Sequence, residues 1–275
     1  MSMYGAIAQS AQEDRLVATI SASAEDTTFI WRDTLVLSMY KYRYQLESST
    51  TESIEFEITG SPYLHVIDFG QSGSHKLFLK HSGSGAYNQL PKIDFYNGPS
   101  GNSEKLQSID NWGNCSFYWS SDRAFSNCTN MDILAPDAPL FYGQRTGTSQ
   151  YYNSIKSRWF TTCTSLKNRN HSLKNIDFGN TETAYGFFQQ TYSLDGGIDL
   201  STYDTSKFAT LNAFFYGCPI SSSVSSSVVN SHGRTYIAWD TSNVTDMSIL
   251  NAGVDQAGES YGQPSGSLYG GKIKG

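Results

Sequence analysis

Two short motifs recur along this chain at unequal intervals, and internal recurrence constrains its fold more than any other property of the sequence. The first is an aliphatic residue followed three positions later by Ile and then Asp. It runs through Leu64 and Ile67, Leu90 and Ile93, Leu106 and Ile109, and Leu173 and Ile176, followed by Asp68, Asp94, Asp110 and Asp177. Leu194, Ile198 and Asp199 form a copy with one extra residue, and Met131 to Leu134 a degenerate one. The second motif interleaves with the first. Its clearest starts are Tyr203-Asp-Thr-Ser and Trp239-Asp-Thr-Ser, leading to Phe208 and Val244. A Phe-x-x-Cys segment belongs to the same unit: Phe125 and Cys128, Phe160 and Cys163, Phe215 and Cys218. Phe188 has Thr191 in the Cys place, and Asn251 and Val254 hold both places in the last copy. The Cys places 128, 163, 191, 218 and 254 are 27 to 36 residues apart, with Gly, Ser, Thr and Asn filling the surplus.

Each motif has a local physical reading. Leu-x-x-Ile-Asp is a short strand with one face inward. Asp-Thr-Ser is a turn, because Asp and Ser side chains hydrogen-bond their own backbone. The Phe and Cys that follow are expected on a short helical turn across the coil. Cys suits a tight interior position as a small hydrophobe. A single unit cannot bury its own apolar face, but stacked units share one core.

These residues resemble the BspA-like leucine-rich repeats of bacterial surface proteins. Trp239 to Met247 reproduces the first half of that family's unit residue for residue, and Tyr203 to Cys218 follows its pattern with conservative changes. Phe125 to Met131 and Phe160 to Leu166 carry the second half. The resemblance covers about residues 106 to 255, and the Leu-Ile-Asp strands extend it back to about 64. It implies a mainly β chain with short helical turns, wound as an irregular leucine-rich-repeat-like solenoid. The chain departs from the family in its irregular repeat length and in an insert at 135–158.

Residues 1–60 read as a separate β-rich capping or anchoring domain. Strand-like runs occur at Leu16 to Ile20, Thr28 to Trp31, Thr34 to Leu37, Tyr40 to Leu46 and Ser53 to Ile58. Ile54 to Ile58 alternates cleanly, which gives a strand one wet face. The solenoid is then expected over 61–257, with a Gly/Ser/Tyr-rich tail over 258–275.

Composition narrows the function classes. Only 16% of residues are charged, against roughly 25% in an average soluble domain. The 18 Tyr and 15 Phe exclude a disordered chain. The net charge of −6 and the lack of a basic stripe argue against nucleic acid as a partner. No apolar run approaches the roughly 20 residues of a membrane span. The residues from Met1 to Ala8 lack the basic and apolar segments of a secretory signal. The expected route is therefore retention where the chain is made, or release within a virus particle.

No catalytic constellation stands out. Ser72 and Ser84 lie among glycines but in no Gly-x-Ser-x-Gly elbow. His75 and His81 lack a third ligand nearby, His65 lies in a strand motif, and His171 and His232 sit in polar inserts. The repeated aspartates are read as backbone caps at strand ends, with a calcium-binding ladder as the alternative. The cysteines are expected reduced and stacked, with a Cys115–Cys128 disulfide as the alternative. No metal or cofactor is expected. Aromatic residues in or beside the inserts, Tyr142, Tyr151, Tyr152 and Trp159, are candidates for an exposed binding surface; capping the core is the competing role. The expected function is thus a non-enzymatic virion surface component, a receptor-binding or capsid decoration protein of a bacteriophage. Its partners would be other virion or surface proteins and a cell-surface receptor or glycan, and it would be oligomeric in the assembly. A bacterial cell-surface adhesin is the alternative, and a glycan-degrading enzyme the third reading.

Overall fold

The structure is a computed structural model that describes residues 15–32, 40–51, 53, 55–58, 64–81, 88–90, 95, 102–113, 115–118, 123–142, 157–167, 173, 176, 178, 182–194, 203–217, 228–229, 235–236 and 242–245. These residues are mainly β with almost no helix. Among them no helix is long and apolar enough to cross a membrane.

The first strands obey the period-2 rule, in which successive side chains face opposite sides. In β1 (Leu16–Ala22), Leu16, Ala18, Ile20 and Ala22 enter the core, while Ser21 is exposed. In β6 (Gly73–His81), His75, Leu77 and Leu79 are buried between half-buried Lys76, Phe78 and Lys80. β6 pairs antiparallel with β1 on one side and with β3 (Tyr40–Leu46) on the other. With β4 (Phe56–Ile58), β8 (Leu106–Asn111) and β10 (Asp132–Ile133) they form one sheet in the order β10-β8-β1-β6-β3-β4. β2 (Thr28–Arg32) and β5 (Leu64–Asp68) form a two-stranded sheet. The side-chain amide of Asn102 bonds both the N–H and the carbonyl of Ile30 on β2. A further pair joins β12 (Val228–Val229) to β13 (Thr235–Tyr236).

The six-stranded sheet takes strands from both sides of residue 60, so the domain boundary expected there does not divide the fold. One hydrophobic core runs from Leu16 to Phe215. The expected strands at 16–20, 28–31 and 40–46 form, and the run over 53–58 forms at its end as β4. The run at 34–37 lies outside the described residues.

From residue 123 the backbone repeats a single shape. In residues 123–128 the amides of Arg123, Phe125 and Asn127 donate to the carbonyls of Ser157, Trp159 and Thr161, at 3.0, 3.1 and 2.9 Å. Arg158, Phe160 and Thr162 donate onward to Tyr185, Phe187 and Gln189, at 2.8, 3.0 and 2.8 Å. Gly186, Phe188 and Gln190 then donate to Asn212, Phe214 and Tyr216, at 3.0, 2.9 and 2.7 Å. Residues 123–128, 158–163, 186–191 and 213–217 are therefore four superposed tiers. These nine main-chain bonds all point the same way along the stack.

The expected short helical turn does not occur in these tiers. Each tier is a run of turns closed between residues three apart, such as Cys128 to Phe125 and Cys163 to Phe160, both 3.1 Å. The backbone is left-handed at two fixed places. One holds Arg123, Arg158, Gly186 and Ala213, with φ of 59°, 53°, 59° and 54°. The other holds Asn127, Thr162, Gln190 and Gly217, with φ of 63°, 63°, 57° and 68°. An α-helix of L-residues cannot pass through such positions without a penalty at each.

Aromatic rings follow the same stack. Phe29, Phe95, Phe125, Phe160, Phe188 and Phe215 form one column with successive ring centroids 5.3, 5.7, 5.8, 5.9 and 5.9 Å apart. Trp112, Trp159, Phe187 and Phe214 form a second, spaced 6.0, 6.2 and 5.7 Å. The first column begins on β2, which ties the N-terminal strands to the tiers. On another side, β7 (Asn88–Leu90), β9 (Cys115–Tyr118) and β11 (Leu140–Tyr142) pair in parallel.

The described aliphatic motif residues do not all lie in strands. Ile67, Leu106, Ile109, Leu173, Ile176 and Leu194 are buried. Leu64 starts β5 and Leu90 ends β7. Leu173 and Ile176 sit in a turn, with the Ile176 N–H on the Leu173 carbonyl at 3.2 Å. Val244 packs against the core. Ile93, Ile198, Cys218 and Trp239 lie outside the described residues.

Candidate binding surfaces

Of the four aromatic candidates, the structure places two. Trp159 is fully buried, a rung of the second aromatic column and in edge contact with Phe117 at 4.9 Å. That corrects its expected surface role: the Trp112 and Phe187 rings stack on the indole. Tyr142 ends β11 and is the register partner of Tyr118 on β9. Tyr151 and Tyr152 lie outside the described residues.

The two described thiols, Cys128 and Cys163, are buried and in no disulfide, so the alternative Cys115–Cys128 disulfide is not formed. The Cys163 sulfur lies 2.9 Å from the Phe125 carbonyl of the preceding tier, and burial pushes its pKa far up. A thiol so held is a poor nucleophile, since the thiolate is the reactive form. Thr191, in the equivalent place, instead donates to the carbonyl of Phe188 in its own turn, at 2.7 Å.

The two described aspartates of the first motif take different roles. Asp68 accepts from the Gly70 N–H at 2.8 Å and from the Thr27 hydroxyl at 2.6 Å, as a local cap. Asp110 accepts from Thr19 and Ser108 and pairs with Lys76 at 3.1 Å. They stand on different sheets, which separates them as ligands for one ion. Asp94, Asp177 and Asp199 lie outside the described residues. No group of three metal-ligating side chains occurs among the described residues.

The outer face of the six-stranded sheet is charged. Lys76 bridges Glu47 and Asp110, at 3.0 and 3.1 Å. The Ser74 hydroxyl, with Lys76, holds the Glu47 carboxyl below its usual range. Glu55 gathers Arg15, Lys41 and Lys80 at 2.7, 3.7 and 3.9 Å. Arg43 lies over the Phe78 ring, 4.4 Å from its centre. Five cations, Arg15, Lys41, Arg43, Lys76 and Lys80, here meet three carboxylates, Glu47, Glu55 and Asp110, so the described charges of this face lean positive.

His75, one of the two histidines weighed for a metal site, is a buried residue of β6. Its ring stacks on Phe69 at 4.3 Å and 7°, with Tyr44 edge-on at 6.4 Å. Nε2 meets the Gln71 carbonyl at 3.1 Å, and Nδ1 is buried without a hydrogen-bond partner. Burial lowers its pKa below the ordinary 6.5.

The tiers offer a different surface. Tyr192 is 50% exposed, at the edge of the third tier. Beside it, Gly217 of the fourth tier lacks a side chain; a Cβ there would stand 3.4 Å from Gln190 Cγ and 3.7 Å from Tyr192 Cε1. Thr162 of the second tier donates to Gln190 Oε1 at 3.4 Å. Thr162, Gln190 and Gly217 thus descend one column of left-handed positions, with the Tyr192 ring alongside. The sequence pattern missed this group because it singled out only the inward Phe and Cys of each unit. Set against protein-family models, curated proteins and solved structures, the chain gives no match.

Proposed function

We propose that the chain is a non-catalytic binding and structural protein whose tiers form an irregular leucine-rich-repeat-like solenoid of the BspA-like kind. The observation that carries this reading is the threefold repetition of the same three main-chain bonds between tiers 27 to 35 residues apart in sequence. A stack of this kind places its Phe and Cys inside and arrays its polar positions in rows along the outside. Its role is that of a virion surface component, a receptor-binding or capsid decoration protein, working within a larger assembly. Low charge, 16% of residues, and a wall of Thr, Gln, Asn and Tyr suit a surface that binds by shape and hydrogen bonding. The test is mass spectrometry of purified particles beside that of washed cells. The chain is expected in the particles. Recovery on cells alone would favour the adhesin reading, which rests on the match of Trp239 to Met247 to the family unit; recovery in neither would refute both.

A further inference from the structure

We propose that the notch formed by Thr162, Gln190, Tyr192 and Gly217 binds a neutral glycan. This rests on the binding-protein reading and names the ligand class for one surface of it. Three features of the notch define its chemistry. Tyr192 offers a half-exposed ring, a flat apolar surface with a hydroxyl at its rim. Such a ring packs against the C–H face of a sugar while hydroxyl groups bond around the edge. Gln190 supplies hydrogen bonds: its Oε1 accepts from Thr162, which orients the amide and leaves its two Nε2 donors without a partner among the described residues. Gly217, held at φ +68°, keeps the floor between Gln190 and Tyr192 at the level of the backbone.

Charge then selects neutral over acidic sugars. Residues 158–164, 185–193 and 213–217 contain one charged side chain, Arg158. Its guanidinium lies over the Tyr185 ring, 4.6 Å from the centre. Among the described residues, no cation stands in the notch to meet a carboxylate or sulfate. The three column positions come from three successive tiers, spaced like parallel strands at roughly 4.8 Å, so the notch runs along the stack and suits an extended polymer.

The experiment uses the full chain and four soluble probes: the hexasaccharides of β-1,4-glucose, α-1,4-glucose, β-1,4-galactose and α-1,6-mannose. Saturation-transfer NMR detects contact, and titration gives the affinity. At least one probe is expected to bind saturably, and Tyr192→Ala to weaken it by about tenfold or more. Tyr192→Phe keeps the ring face and is expected to stay within about threefold of the parent. Thermal melts of the variants check that they fold; if Tyr192→Ala melts early, Gln190→Ala takes its place. The proposal fails if no probe binds at about 10 mM, or if Tyr192→Ala and Gln190→Ala bind as the parent does. Absence of the chain from particles and cells would overturn the assembly reading and leave a binding result standing. Presence in particles without glycan binding would overturn the notch alone.

Discussion

Thr162 is the residue at which side chain and backbone disagree most plainly. A β-branched residue at φ 63° is held against its own preference. The same place holds Asn127 in the first tier and Gly217 in the fourth, both residue types that accept this conformation. Thr162→Asn is therefore expected to stabilise the fold by about 0.5–1 kcal/mol, read as a rise in denaturation midpoint with an unchanged slope. A second consequence belongs to His75. Its pKa in the folded protein is lowered from 6.5, while the unfolded chain keeps the ordinary value. The unfolded state thus takes up a proton that the folded state refuses. The contribution of His75 is intact above pH 6.5 and is lost as pH falls below it. Denaturation series between pH 7.5 and 5 should show stability falling as pH falls, chiefly in the lower half of that window, and His75→Phe should flatten the fall. An unchanged slope in that variant would assign the dependence to other groups.

At the scale of elements, the tier is the unit, and the second, third and fourth tiers each bury two aromatic rungs. Phe160 and Trp159 each touch rungs above and below. Truncating either to Ala should cost about 3–5 kcal/mol, measured by chemical denaturation. A surface Trp would cost within about 0.5 kcal/mol, so Trp159→Ala directly separates the interior role from the expected binding role. The tiers were partly legible in the sequence. Phe-x-x-Cys spacing marked Phe125, Phe160, Phe188 and Phe215 because an inward rung must recur in every unit. The left-handed positions were not legible, since Arg123, Arg158, Thr162 and Gln190 carry no glycine signature. The helical turn expected there is replaced by turns that bond from tier to tier.

Across the whole molecule, the sheet is built from strands far apart in sequence. β1 lies between β6 and β8, so residues 16–22 are central to a sheet completed only at residue 133. This order was hidden from the sequence, because alternation in β1 tells which face is inward and not which strand lies beside it. A fragment over 61–257 would leave β6 and β8 without the strand between them. It is expected to lack a cooperative melt, whereas the full chain should melt in one transition shared by Trp fluorescence and far-UV circular dichroism. The most direct test of the stacked account is the scalar coupling across its tier-to-tier hydrogen bonds. In a deuterated sample, long-range HNCO spectra should link the amide nitrogens of Phe125, Phe160 and Phe188 to the carbonyl carbons of Trp159, Phe187 and Phe214. Missing couplings at those three amides, together with hydrogen exchange as fast as in an unstructured peptide, would contradict it.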